Sequence, residues 1–158
     1  MAFQVRRVIT GHDTNGKAVV KIDEVATHAF TGRTGATGIN VWTTEGFPAN
    51  NDGEDDAGLR KAGTTLPNGT IFRVLEFAPG LAARNHRTDS IDYIVVMSGE
   101  IDMELDDSVV HLKAGDVMVQ RGTIHNWMNR GSAPCVLAVI LIAAKSVEAG
   151  GKVLNAVG

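Results

Sequence analysis

From Thr70 onward the chain is a series of short apolar segments separated by glycine-bearing turns, and this spacing restricts the folds open to it. In "TIFRVLEFAPG", Ile71, Arg73, Leu75 and Phe77 share one face, while Phe72, Val74 and Glu76 share the other. "DYIVVMSGEIDMELDD" reads as two strands bent at Gly99-Glu100, and "SVVHLKAGDVMVQRG" as a pair around Lys113-Ala114-Gly115-Asp116. "HNWMNRG" and "PCVLAVILIAA" complete the series. Strands this short, with turns every roughly 8 to 12 residues, predict an antiparallel sandwich or barrel. The chain is all-β by this reading.

The first 68 residues add strands and a long loop. "VRRVITG" and "AVVKIDE" flank "HDTNGK", so a hairpin turning at Asn15-Gly16 is expected. "NNDGEDDAGLRKAGT" is acidic, contains glycine and has no period, which predicts an exposed, mobile loop serving as a lid or a dimer contact. Helix signals are weak, and only the tail "KSVEAGGKVLNAVG" has room for a short helix. One domain over 1–158 is expected, with N-terminal strands and loop (1–68), a barrel core (69–144) and a tail (145–158).

Bulk properties exclude several functions. The formal net charge of −3 points away from nucleic acid and anionic membranes and toward small ligands. The one cysteine, Cys135, has no partner for an intrachain disulfide and lies in an apolar run, so it reads as a buried, inert thiol. That run, Val136 to Ala144, falls far short of the about 20 residues that span a bilayer. The start "MAFQVRRVITG" lacks the apolar stretch of a signal peptide, so a cytoplasmic location is expected.

Polar residues that interrupt the apolar pattern carry the chemistry. "HRTDSID" places His86, Thr88 and Asp92 just ahead of a buried strand, and His125 follows "VMVQRG" further on. His86 and Thr88, two apart, share a strand face, and Asp92 rejoins it after the "DSI" step. His86 and Asp92 either hydrogen-bond each other at a strand end or join His125 around a metal ion.

The spacing Gly80, His86, Thr88, Asp92, Gly99, followed by Gly115-Asp116, His125 and Asn129, resembles the two motifs of the cupin family. That resemblance implies a double-stranded β-helix, the cupin jelly-roll barrel, here with extra N-terminal strands. It departs from the family's pattern at Thr88 in place of the second histidine, Asp92 in place of glutamate, and Arg121-Gly122 in place of a Pro-x-Gly turn. It implies His86, Asp92 and His125 as ligands of a divalent ion such as iron, zinc, nickel or manganese. Two imidazoles and a carboxylate leave coordination positions open for water, oxygen or substrate.

Other residues are candidates for the surrounding pocket. Arg73, on the inward face of its strand, needs an acid or an anionic substrate as partner. Arg84, Tyr93, Trp42 and Trp127 are expected to join it, with Tyr93 and Arg73 as catalytic groups and Thr88, Trp127 and Arg84 lining the substrate space. Trp127 either stacks on a ring-bearing substrate or fills the core. His12, His28 and His111 are expected at the surface, and Arg121 in an exposed turn or a subunit contact.

Three functions remain open. The first is a metal-dependent enzyme on a small carboxylated or hydroxylated molecule, of lyase, isomerase or dioxygenase type. The second is a small-ligand-binding module without turnover. The third is a metal-free pocket doing acid–base chemistry with His86 and His125. A homodimer is expected, because the N-terminal apolar strands leave an edge that needs covering.

Overall fold

The computed structural model describes residues 2–158. It is all-β, as the glycine-punctuated pattern predicts. The strands are β1 (Arg6–His12), β2 (Ala18–Val25), β3 (Phe30–Thr31), β4 (Ala36–Glu45), β5 (Gly69–Phe77), β6 (Ser90–Ser98), β7 (Glu100–Glu104), β8 (Val109–Lys113), β9 (Val117–Arg121), β10 (Asn126–Met128), β11 (Cys135–Ala143), β12 (Val147–Ala149) and β13 (Lys152–Leu154). A six-stranded sheet in the order β3-β4-β5-β11-β6-β9 lies against a three-stranded sheet in the order β10-β7-β8.

Strand β11 is the centre of the larger sheet. It pairs antiparallel with β5 on one side and β6 on the other. Its alternate residues Cys135, Leu137, Val139 and Leu141 are all buried, while the residues between them are partly covered. Each large side chain so buried contributes about 1.5–3 kcal/mol. Ile71 from β5, Ile94 and Val96 from β6, and Ile101, Met103 and Leu112 from the smaller sheet complete one core. The chain crosses between the sheets at Gly99, whose φ of 75° suits glycine. A Cβ there would also lie 2.5 Å from the Pro134 carbonyl oxygen.

The N-terminal hairpin β1–β2 forms as expected, but Asp13 organises its turn as much as Asn15-Gly16 does. The Asp13 carboxylate accepts from the backbone N–H of Asn15 and Lys17. Arg7, 3% exposed, ties the hairpin to the body of the molecule. Its guanidinium donates to Glu24 at 2.9 and 2.6 Å and to Asp56 at 2.8 Å.

Two expectations are corrected. The loop after β4 is exposed only in part: Asp56 caps a short 3-10 turn, Ala57–Leu59, and Gly58 is buried beneath Arg7. The Thr43 hydroxyl also donates to the Ala57 carbonyl. The tail forms no helix. Gly150 and Gly151 both take positive φ, and the turn they make folds β12 onto β13. No helix among the described residues is long and apolar enough to cross a membrane.

Arg7 is the main polar tie between hairpin and barrel, so Arg7→Ala should strand Asp56 and loosen that attachment. Urea unfolding should show a loss of about 2 kcal/mol, less than for a fully buried pair because the partner acids are partly solvated. An unchanged midpoint would show that the hairpin is held by other contacts.

Candidate functional site

A period-two alternation builds one wall of the site. His86, Thr88, Ser90 and Asp92 are buried in turn, while Arg87, Asp89 and Ile91 between them are more exposed. The facing wall comes from His125, 3% exposed. The two segments pair directly: the His86 N–H donates to the His125 carbonyl at 3.0 Å, and the His125 N–H donates back at 2.9 Å. Their imidazole centroids consequently lie 4.2 Å apart, with the rings inclined at 49°.

Each ring has one nitrogen committed. Nδ1 of His86 lies 3.0 Å from the Arg84 carbonyl, and Nδ1 of His125 lies 2.9 Å from the Thr123 carbonyl. A carbonyl only accepts, so both Nδ1 atoms carry the hydrogen and both Nε2 atoms keep a lone pair. Burial holds both imidazoles below their ordinary pKa, His125 down to about 4. The positive charges of Arg33 and Arg84 push the same way on both rings. At neutral pH the pair is two uncharged bases.

Both rings open on a cavity of about 450 Å³ inside the barrel. Phe30, Leu75, Phe77, Ile94, Trp127 and Leu141 give it a largely apolar wall. Trp127 stands edge-on to His125, with centroids 6.1 Å apart. The polar exceptions fall into two groups. Thr88, Ser90 and Asp92 form a hydrogen-bonded chain, 2.8 Å between the hydroxyls and 2.6 Å from Ser90 to the carboxylate. Burial raises the Asp92 carboxyl to about 6, against the opposing pull of Ser90 and Arg73. Arg73, itself buried, falls to about 10 and lies over the Phe30 ring at 5.1 Å. The second group is Arg33 and Arg84, beside the histidines.

Arg73, Arg84, His86, Thr88, Asp92, His125 and Trp127 thus come to one cavity. Tyr93 does not. It sits on the opposite face of β6 from Asp92, is 49% exposed, and is corrected from pocket group to surface residue. Trp42 pairs with Phe72 on β4–β5 and does not line the cavity. His28 is half-buried rather than solvated, with Nε2 2.8 Å from the Asn40 carbonyl. His111 is exposed as expected and pairs with Asp102 at 2.7 Å. Cys135 is fully buried, and its thiol is pushed up to about 11.

His86, Asp92 and His125, the expected ligand set, all line this cavity. Among the described residues no three His, Cys, Asp or Glu side chains are grouped so as to hold a metal ion. His86 and His125 offer two nitrogens, but Asp92 is taken up by Ser90 and lies within the field of Arg73. Arg33 and Arg84 further disfavour a dication beside the imidazoles.

Sequence reasoning missed Arg33, Phe30, Phe77 as a pocket wall, and Ser90. Ser90 was within reach, since it falls on the same even-numbered face as His86, Thr88 and Asp92. Arg33 lies in "TGRTGATG", where nothing in the pattern marks a residue that reaches the barrel.

With this geometry the comparisons with known proteins agree. A family description, "Cupin domain", matches residues 73–141. The cupin-domain-containing oxidoreductase fogC of Aspergillus ruber is 32% identical over 157 residues, covering 94% of this chain and 77% of its own. The chain belongs to the cupin family. The cupin-domain-containing oxidoreductase virC of Hypocrea virens is 31% identical, over 89% of this chain and 77% of its own. The phomopsin biosynthesis cluster protein C' of Diaporthe leptostromiformis is 45% identical over 60% of this chain. This cupin spans about half of that protein's length, 51%. Among solved structures, a protein with a double-stranded β-helix domain from Klebsiella pneumoniae aligns at 26% identity and a TM-score of 0.43, over 48% of this chain and 68% of its own.

Burial of His125 has a consequence for stability. Its folded pKa of about 4 lies below the ordinary 6.5, so between those values the unfolded chain binds more protons. The His125 contribution is therefore complete above pH 6.5 and lost as pH falls toward 4, about 3 kcal/mol in all. Asp92 acts in the opposite sense, since its folded pKa is raised: its contribution is lost as pH rises from 3.8 to about 6. Wild type minus His125→Gln should isolate the histidine. Chemical denaturation at pH 7 and pH 4 should show wild type losing about 3 kcal/mol relative to the variant. A constant difference would mean that His125 titrates normally.

Proposed function

We propose that this cupin is an enzyme that moves a proton on a small carboxylated or hydroxylated organic molecule held in the barrel, a lyase or isomerase in type. The observation that carries the reading is the histidine pair. Two imidazoles at 4.2 Å, each with Nδ1 held by a carbonyl, present neutral Nε2 bases to a largely apolar cavity. A general base in that position, correctly oriented, contributes about 100- to 10,000-fold.

The cavity's own charges suit such a step. Abstraction of a proton beside a carbonyl turns a neutral imidazole into imidazolium and the substrate into an enolate. Arg33 and Arg84 favour that developing negative charge, and the enolate in turn offsets their unfavourable effect on the imidazolium. The imidazolium so formed can return its Nε2 proton to another atom of the substrate, which completes a tautomerisation, or to a leaving hydroxyl, which completes a dehydration and regenerates the neutral base. Phe77, Trp127 and Leu141 supply apolar wall against which the body of the substrate can pack.

The names of related proteins support a role on small molecules. Phomopsin and oryzine biosynthesis clusters each contain a relative, and fogC and virC are called oxidoreductases. Net oxidation is the second reading: one histidine takes the proton while an external acceptor such as oxygen takes the electrons.

The deciding experiment follows solvent exchange. Wild-type protein with a panel of β-hydroxy and β-keto acids in D₂O should incorporate deuterium beside the carbonyl, as read by NMR. His125→Gln and His86→Gln should each lower that rate about 100-fold or more, while His111→Ala leaves it unchanged. A chelator that abolishes exchange, with metal recovered from the untreated protein, would replace this reading with a metal centre on His86 and His125. Oxygen uptake without exchange would favour the oxidative reading, and ligand binding with neither a binding module.

The assembly we propose is a homodimer. Val8, Val20 and Val25 on the N-terminal hairpin are about half exposed, as are Tyr93, Met97 and Val119 on the outer face of β6–β9. Strand faces of that kind need covering. Sedimentation at micromolar concentration should give twice the 16.7 kDa chain mass. A clean monomer would refute the assembly.

A further inference from the structure

Arg33 and Arg84 enter the cavity from two loops that are tied together. The Ala82 N–H donates to the Thr34 carbonyl at 3.1 Å, and the Ala78 N–H donates to the Gly35 carbonyl at 2.8 Å. Arg84 is fixed further by its own N–H, which donates to Asn126 Oδ1 at 2.8 Å, and by its carbonyl, which receives His86 Nδ1. The Arg84 guanidinium is near enough for its charge to bear on Arg33.

Neither has an Asp or Glu side chain to neutralise it. Among the described residues, no side-chain carboxylate lies within ion-pair distance of Arg33 or Arg84. Arg33 reaches only the Trp127 carbonyl, at a long 3.3 Å, and lies over the Phe77 ring at 5.9 Å. Its Nη1 is fully enclosed with no partner at all. Arg84 gives one N–H to the Gly158 oxygen at 2.6 Å and has four further donors in its guanidinium. An enclosed N–H without an acceptor is costly to bury, more so when charged. Two such cations at one cavity wall are a site awaiting an anion.

We propose that Arg33 and Arg84 form a carboxylate-binding subsite, which seats the acid group of a small organic acid so that its apolar body lies along Phe77 and Trp127. Guanidinium groups match a carboxylate in shape and charge. With the acid group so placed, the adjoining carbons of the ligand fall beside His86 and His125. The subsite names the substrate class for the proton transfer proposed above and rests on that reading only for its catalytic meaning. Binding alone tests it. Arg73 is a different pole: its charge is balanced in part by Asp92, and it does not belong to this subsite.

The test uses the whole chain with benzoate as the acid probe and benzamide as its uncharged match, by isothermal titration. Benzoate should bind at least about ten-fold more tightly than benzamide. Arg33→Gln and Arg84→Gln should each erase most of that preference while leaving benzamide affinity unchanged. The benzamide titration also reports that each variant is folded and its cavity intact, and Arg33→Lys should retain part of the preference. His125→Gln should still bind benzoate. This separates the subsite from the catalytic reading: benzoate binding with no deuterium exchange on any acid would retain the subsite and end the enzyme. Equal affinity for the two probes, or a preference untouched by both Arg→Gln variants and lost with Arg73→Gln, would overturn the proposal.

Discussion

The reciprocal backbone pairing of His86 with His125 is the constraint on which the rest of the site depends. It is a single bridge, two hydrogen bonds of 3.0 and 2.9 Å, outside any longer strand ladder. It nevertheless closes the barrel wall between the segment that leads into β6 and the one that leads into β10. Everything chemical follows from where it places the side chains. The imidazoles face each other, their Nδ1 atoms fall to the carbonyls of Arg84 and Thr123, and Arg84 is drawn to the same rim. The Asn126 side chain accepts from the Arg84 N–H and donates to Glu104, which braces the strand beyond.

Such a pocket is costly to fold. Two histidines, one aspartate and one arginine are buried around it, and each buried ionisable group either finds a partner or gives up its charge. The histidines give up theirs. Asp92 compromises, with one hydroxyl bond and a raised pKa, and Arg73 keeps its charge with help from Asp92 and the Phe30 ring. Burial and the neighbouring Arg84 charge also lower the Arg33 pKa. No Asp or Glu side chain answers either rim arginine, which marks where the protein's internal balance of charge is left open.

Much of this was legible in the sequence because strands print their faces with a period of two. The alternation in "TIFRVLEF" assigned Arg73 to the interior correctly, and the Gly, His and Asn spacing brought His86 and His125 together. The same rule, applied strictly, excludes Tyr93: it is odd-numbered on a strand whose even-numbered residues face inward. The tail has room for a short helix by its sequence, but the adjacent glycines Gly150 and Gly151, both at positive φ, make a hairpin turn instead. Arg33 was not legible at all. Its place depends on how the loop before β4 packs against the segment after β5, a long-range contact with no local signature.

The replacements Thr88 and Asp92 are best understood together with Ser90, as one unit. A histidine at 88 and a glutamate at 92 would each reach into the cavity toward the imidazoles. Threonine and aspartate are shorter, and with Ser90 between them they satisfy one another along the strand, 2.8 and then 2.6 Å. Ser90 thus holds one oxygen of the Asp92 carboxylate, and the Arg73 charge opposes the cost of burying it. The two imidazoles, whose Nδ1 atoms go to the Arg84 and Thr123 carbonyls, keep both Nε2 lone pairs for whatever the cavity holds.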